Sequence, residues 1–242
     1  MTYSSFLLRF LIPPILIVGL AVVLRAWVGF RRPVRLLQAT GATCAMLGAA
    51  LGWTTPWDNA LVAGGIWTYP PGRVWGVIGA VPIEEYLFIA LQTILVSLWA
   101  LCTEGLFSSD RPRRAEQLRW RAALLAGGIG IFGALLPLLG GLRWTYLAAI
   151  LLWATPPMMV QAIFGADLLW RARWALTIRT LPPVLYLVAA DALAIQMGIW
   201  SLSPVYTTGL HLGPLPFEEG VFFLVTCGMV AAGWTLFMEM KR

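Results

Sequence analysis

Charge is what this sequence has least of. Of 242 residues only 12% are charged, 17 Lys or Arg against 11 Asp or Glu, while 60% are hydrophobic. An ordinary soluble domain carries about 25% charged residues. A soluble chain of this size cannot bury so much apolar surface, so a soluble enzyme, a disordered chain, a collagen and a disulfide scaffold are all excluded. Lysine is nearly absent too. Lys241, the single one, lies beyond the last apolar run, which excludes a retinal Schiff base inside a helix bundle. The one histidine, His211, has no second His nearby and reads as a loop residue, not a metal ligand. Cys44, Cys102 and Cys227 each sit inside an apolar run with no Cys-x-x-Cys or Cys/His spacing, so unpaired thiols within helices are expected. Asp58, Asp167 and Asp191 stand singly, without the Asp-x-x-x-Asp that would hold magnesium diphosphate. No Gly-x-Gly-x-x-Gly follows a strand. The Glu-Glu pairs continue Tyr86-Leu87-Phe88 and Gly220-Val221-Phe222, not the Glu-Glu-x-x-x-Arg of a glutamate-type intramembrane protease. No metal and no cofactor is expected.

What is present is apolar run. A bilayer core of about 30 Å needs roughly 20 apolar residues per helix. Seven segments qualify, at about 6–28, 36–53, 82–102, 121–139, 144–164, 181–200 and 215–238. The chain is therefore expected to be an all-α membrane protein with about seven transmembrane helices and no soluble domain. Arg9 interrupts the first run, which ends without a small-residue cleavage pattern, so it reads as a span and not as a signal peptide. The basic residues are unevenly placed. The first, third and fifth links carry Arg25, Arg31, Arg32 and Arg35, then Arg111, Arg113, Arg114, Arg119 and Arg121, then Arg171, Arg173 and Arg179. The positive-inside rule puts these links and the C-terminus in the cytoplasm and the N-terminus outside, in a cell (inner) membrane. The net charge of +6 thus reads as topology, with membrane lipids and not nucleic acid as the partner.

The two longest outer links repeat each other. Asp58 followed by Gly65-Ile66-Trp67 is echoed by Asp191 followed by Gly198-Ile199-Trp200, and Pro82-Ile83-Glu84-Glu85 with Phe88 is echoed by Pro216-Phe217-Glu218-Glu219 with Phe222. The expected architecture is a parallel duplication of a three-helix unit, spans 1–3 and 5–7, with span 4 as connector. The units are 1–105, a basic loop and connector helix over 106–140, and 141–242. Four spans separate equivalent helices, so both copies share one orientation, related by an axis along the membrane normal.

Six of the eleven acids fall in these motifs: Asp58, Glu84, Glu85, Asp191, Glu218 and Glu219. Proline followed by two acids is also an ordinary helix start, since proline suits the first turn and acids suit the positive end of the helix dipole. An ionisable group inside a bilayer costs a few kcal/mol, about 2.5–3.5 on insertion scales, and so marks function or a specific pairing. Adjacent glutamates point about 100° apart, so one of each pair is expected inward and the other sideways. Around the motifs lie Trp57, Trp67, Tyr69, Trp75, Tyr86, Phe88, Trp200, Tyr206, Phe222 and Phe223, with Gln92 on the same helix face as Glu84. Taken singly they suit an interfacial aromatic belt; taken together their faces can stabilise a transient cation. Acid, base and cation-tolerant walls would suit proton-initiated rearrangement of an apolar polyene.

At these residues the sequence resembles the integral-membrane lycopene cyclases, whose duplicated three-helix domain carries Pro-x-Glu-Glu. Asp58-Asn59 with Gly65-Ile66-Trp67 and Pro82 through Gln92-Thr93 match the first domain; Asp191 to Trp200 and Leu215 through Phe223 match the second, in a fused two-domain chain. Two positions depart: Ala192 stands where the first copy has Asn59, and Gly220 where it has Tyr86. The resemblance implies a beta-cyclase closing the linear ends of lycopene into β-ionone rings without a cofactor, giving gamma- and beta-carotene. It makes Glu84, Glu85, Glu218, Glu219, Asp58 and Asp191 the catalytic candidates. Trp67, Tyr86, Phe88, Gln92, Trp200, Phe222 and Phe223 become the substrate-binding ones, with lycopene drawn from the bilayer. An ε-cyclase or related end-group cyclase, or a non-catalytic carotenoid carrier with the same cavity, are the competing expectations.

Overall fold

The computed structural model describes residues 1–28, 33–105 and 115–240. Arg31, Arg32, Asp110, Arg111, Arg113, Arg114, Lys241 and Arg242, and the expected boundary between the first unit and the connector at 106, lie outside the described residues. Among the described residues, seven helical stretches are long and apolar enough to cross a membrane: Tyr3–Trp27, Leu36–Ala63, Ile83–Cys102, Glu116–Gly140, Leu142–Arg171, Arg173–Gln196 and Phe217–Glu239. The chain is an integral membrane protein.

The first stretch is two helices in series, α1 (Tyr3–Phe10) and α2 (Ile12–Trp27). Pro13 and Pro14, which lack N–H donors, sit at the start of α2, where those donors are not needed. Then come α3 (Pro33–Ala63), β1 (Trp67–Thr68), β2 (Val77–Ile78), β3 (Val81–Pro82), α4 (Ile83–Cys102) and α5 (Glu116–Gly140). A 3-10 turn over Leu142–Trp144 leads into α6 (Thr145–Arg171), followed by α7 (Arg173–Gln196), β4 (Ser201–Leu202), β5 (His211–Leu212), β6 (Leu215–Pro216) and α8 (Phe217–Met240). Helix α5 lies mainly along α6, whereas α4 and α8, the two helices that begin with glutamate pairs, pack against each other and are the most buried of the spans.

One boundary differs from the sequence reading in a way that matters. Residues 54–81 read as an outer link because Thr54, Thr55, Pro56, Asp58 and Asn59 end the apolar run; in fact α3 continues to Ala63, with Pro56 inside it. Proline is tolerated within a membrane helix when neighbouring helices restrain it. Here the Trp53 and Trp57 indoles donate to the Trp153 and Ala149 carbonyls of α6, 3.0 and 3.2 Å away. Asp58 therefore rides on a helix, directly after the second of these clamps.

The links between spans fold into short ribbons. β2 and β3 form a hairpin before α4, β5 and β6 form one before α8, and β1 pairs with β4 antiparallel, Thr68 opposite Ser201. Gly79 and Gly213 open the two hairpin turns with φ of +69° and +64°, a conformation that a two-residue hairpin turn requires and that glycine alone adopts without strain. Local contacts recur around the two sequence motifs. Trp75 N–H bonds Glu84 as Thr208 N–H bonds Glu218; Tyr3 N–H bonds the Arg73 carbonyl as Tyr146 N–H bonds that of Tyr206.

The two departures noted in the second motif belong to one change. In the first hairpin Asn59 Oδ1 accepts the Ala80 N–H at 2.8 Å, and its Nδ2 donates to the Tyr86 hydroxyl at 3.2 Å, which donates on to the Ile78 carbonyl at 2.8 Å. In the second, the residue at the Ala80 position is Pro214, which has no N–H to satisfy. Ala192 and Gly220 then replace Asn59 and Tyr86 together. The substitutions concern how a turn is held, not the carboxyl chemistry.

Candidate active site

The two glutamates of each pair divide as the helix geometry requires. Glu84 and Glu218 are wholly buried and turn back onto their hairpins, where Glu84 Oε1 accepts the Trp75 N–H at 2.9 Å and Glu218 Oε1 the Thr208 N–H at 2.6 Å. They hold the loops over the helix starts. Glu85 and Glu219 point into the bundle. Glu85 Oε2 accepts from the hydroxyls of Tyr3 and Tyr69, both at 2.8 Å. Glu219 Oε1 accepts from the Tyr146 hydroxyl at 2.7 Å and the Trp67 indole at 3.4 Å. Trp67 thus reaches from the link after α3 to a carboxyl on α8. Burial, and then the charge of Glu85, push the Tyr69 phenol well above its ordinary range, so it remains a donor to that carboxylate.

The aspartates also diverge. Asp191 Oδ1 accepts the Trp200 indole at 2.9 Å. Asp58 is 1% exposed, and neither of its oxygens has a hydrogen-bond partner among the described residues. A buried carboxyl without partners is costly and needs an explanation.

Two adjoining cavities supply one. The smaller, about 30 Å³, is lined by Glu85, Asp191 and Glu219 together with Tyr3, Trp67, Tyr69, Phe88, Trp200, Phe222 and Phe223. The larger, about 140 Å³, has Asp58 and Glu85 beside Phe88, Gln92, Trp153 and Phe222, and otherwise mostly apolar side chains of α3, α6 and α8. Glu85, Phe88 and Phe222 border both. Gln92 Nε2 donates to Thr226 Oγ1 at 2.8 Å, tying α4 to α8 along the wall. Behind the wall Trp57 stacks on Trp153 at 4.7 Å and on Phe222 at 5.8 Å and ties the two wall rings together.

Of the residues singled out from the sequence, Asp58, Glu85, Asp191, Glu219, Trp67, Phe88, Gln92, Trp200, Phe222 and Phe223 come together here. Glu84 and Glu218 stand behind them on the hairpins, and Tyr86 lies apart, holding the first hairpin through Ile78. Sequence reasoning missed Tyr3, Tyr146 and Trp153. The signal for the tyrosines was present: Tyr3 precedes Pro13-Pro14 by the same spacing as Tyr146 precedes Pro156-Pro157. Among the described residues, no group of three or more His, Cys, Asp or Glu side chains is arranged to hold a metal ion.

Spans that enclose four carboxyls, one of them without a hydrogen-bond partner, with phenol donors and an aromatic wall beside an apolar cavity, make a membrane site equipped for acid–base chemistry on an apolar molecule. The model of the lycopene cyclase family matches residues 3–102 and 143–237, and the chain belongs to that family. It is 39% identical over 238 residues to the lycopene beta-cyclase of Halobacterium salinarum, covering 98% of this chain and 95% of that one. It is also similar to bifunctional lycopene cyclase/phytoene synthases, 35% identical over 201 residues to that of Aspergillus niger and 31% over 199 residues to that of Phaeosphaeria nodorum. These matches cover 78% and 76% of this chain but only 34% and 33% of the fungal proteins. No solved structure matches the chain.

Proposed function

We propose that this protein is a lycopene beta-cyclase with one composite site at the junction of its two halves. The observation that carries the reading is the convergence of Asp58, Glu85, Asp191 and Glu219, drawn from four helices, on two cavities that share Glu85 and an aromatic wall. The near full-length similarity to the Halobacterium beta-cyclase supports the substrate and the ring type.

The reaction is an isomerisation. A proton adds to the terminal double bond of the polyene, an internal double bond attacks the resulting tertiary cation, and loss of a ring proton forms the β-ring double bond. A carboxyl that accepts no hydrogen bond has nothing to hold its anion and keeps a proton to give, so Asp58 is assigned to deliver the proton. A carboxylate that already accepts two hydrogen bonds is held for the opposite task, so Glu85 or Glu219 receives the ring proton. The faces of Trp153 and Phe222 stabilise the cation without trapping it. A duplicated three-helix unit related by an axis along the membrane normal is supported by the recurring contacts of Glu84 and Glu218 and of Tyr3 and Tyr146. The distribution of arginines supports an N-terminus outside and a C-terminus in the cytoplasm of a cell membrane, with the carboxyls near the outer face and lycopene drawn from the lipid.

Expression in a lycopene-accumulating host tests the function. The wild type is expected to convert red pigment to gamma- and beta-carotene in molar excess over itself, and the Glu85→Gln, Glu219→Gln double variant to leave lycopene intact. Full conversion by the double variant, or unchanged lycopene with the wild type, overturns the assignment; α-type rings in the product would make it an ε-cyclase.

A further inference from the structure

The site has a side entrance. The cavity beside Asp58 shares Met46, Ala49, Trp53, Pro157 and Gln161 with a larger hollow of about 610 Å³ between α3, α6 and α8. Gly48 and Gly52 line that hollow, and a Cβ added at either would meet nothing within 4 Å. On its far flank Val160 and Phe164 of α6 are 52% and 59% exposed, so the hollow opens on the surface that lipid covers, at mid-span. Inward it adjoins the smaller of these two cavities, which is lined by Glu85 and by Asp58, buried and without a partner.

The matching stretch of α7 is built differently. Where α3 has Gly48, Ala49, Ala50 and Gly52, the motif spacing puts Leu181, Pro182, Pro183 and Leu185. Where Thr54 lines the cavity of the first half, Leu187 is 1% exposed and part of the hydrophobic core with Tyr3 and Phe6. A groove framed by glycines and a wall framed by leucine and proline lie at equivalent places around one site.

We infer that the apolar polyene enters end-first from the bilayer through the groove between α3, α6 and α8, and that Gly48 and Gly52 set the width of this entrance. The inference rests on the proposed cyclase activity for the identity of the polyene, not for the existence of the passage. A linear chain bearing only methyl branches passes between small side chains and a Pro-Pro edge, and its leading end comes to the cavity of Asp58 and Glu85. On the α7 side the place is filled by the buried Leu187, whereas on the α3 side the cavity is open past Thr54 to Asp58 and Glu85. The small-residue rim thus leaves room for the methyl-branched acyclic end to enter and for the closed ring to be withdrawn.

Gly52→Phe puts a ring into the entrance, while Leu185→Phe puts the same ring at the matching position of α7, where the side chain is 68% exposed. In membranes of a lycopene-accumulating host, Gly52→Phe is expected to lower the initial rate of cyclisation by roughly 10- to 200-fold and Leu185→Phe by less than about twofold. A binding readout independent of turnover accompanies this. In a Cys44→Ser background, Gly52→Cys is labelled with a membrane-permeant bimane, and added lycopene is expected to slow labelling there but not at Leu185→Cys. Equal rates for the two phenylalanine variants, or labelling of Gly52→Cys unaffected by lycopene, overturns the entrance. Slowed labelling of Gly52→Cys by lycopene, together with a wild type that forms no rings, overturns the cyclase reading and leaves the entrance standing.

Discussion

Asp58 and Asp191 occupy matching places on α3 and α7, yet one faces a cavity unpartnered and the other is tied to an indole. The surroundings explain the difference. Trp57 of α3 lies over Ala149 of α6; at the matching positions α7 has Ala190 and α1 has Phe6, both buried in the core. Bulk is carried by the long helix in the first half and by the partner helix in the second. Above Asp191, Trp200 closes the space and donates its N–H; the matching Trp67 leans across to Glu219 instead, leaving Asp58 without a donor. Two matching sequence motifs thus carry one aspartate without a donor and one with an indole donor, and the difference comes from where aromatic volume sits, not from the acids themselves.

Breaking the two aspartates should expose this contrast most strongly. Asp58→Asn is expected to lower the cyclisation rate by about 10²–10⁴-fold, the usual weight of a general acid. Asp191→Asn keeps an acceptor for Trp200 and is expected to cost no more than ~10-fold. Pigment analysis after matched induction reads both. Equal losses would mean the two halves act symmetrically.

The phenol donors come next. Tyr146→Phe removes one of two bonds to Glu219, and Tyr3→Phe one of two to Glu85, each worth about 1.5–3 kcal/mol as a hydrogen bond to a charged acceptor. Each variant should lose roughly 10- to 100-fold in rate with the protein still extracted as a folded species. Tyr69 has no phenolic counterpart, because Leu202 stands at its place. Its phenol is raised well above the ordinary value of 10.0 by burial and Glu85, so the stability it adds is full below that value and is lost as pH rises through the raised one. Tyr69→Phe is therefore expected to leave the neutral pH profile alone and to flatten the loss of thermal stability above about pH 10.

Much of this arrangement was legible before any coordinates. Apolar runs of span length fix the seven helices, and Pro-x-Glu-Glu fixes where α4 and α8 begin. The 100° step between adjacent residues requires Glu84 and Glu85 to part company, but does not say which turns inward. That is decided by the backbone N–H groups of Trp75 and Thr208, which hairpin folding brings to Glu84 and Glu218. Tyr3 stood outside the first apolar run and Tyr146 inside a later one, so neither looked like a partner for an acid more than seventy residues away. Asp58 looked like a loop residue because polar side chains and Pro56 masked a helix that two tryptophan clamps keep in place.

The smallest expected effect sharpens the comparison furthest from the chemistry. Asn59→Ala leaves the Ala80 N–H without its acceptor and should lower stability by about 1–3 kcal/mol while changing the rate little. The second half has already met this situation, with Ala192 facing a turn that carries Pro214. Adding Ala80→Pro to Asn59→Ala removes the orphaned donor, and Tyr86→Gly completes the second-half set. Thermal unfolding in detergent should show the double variant recovering most of what the single variant loses, a coupling that independent sites would not give. If Ala80→Pro instead adds its own penalty to that of Asn59→Ala, the two hairpins are held by different means. Asn59 would then stay in the first half for its reach toward Tyr86, and the matched loss of three residues in the second half would have to be explained site by site.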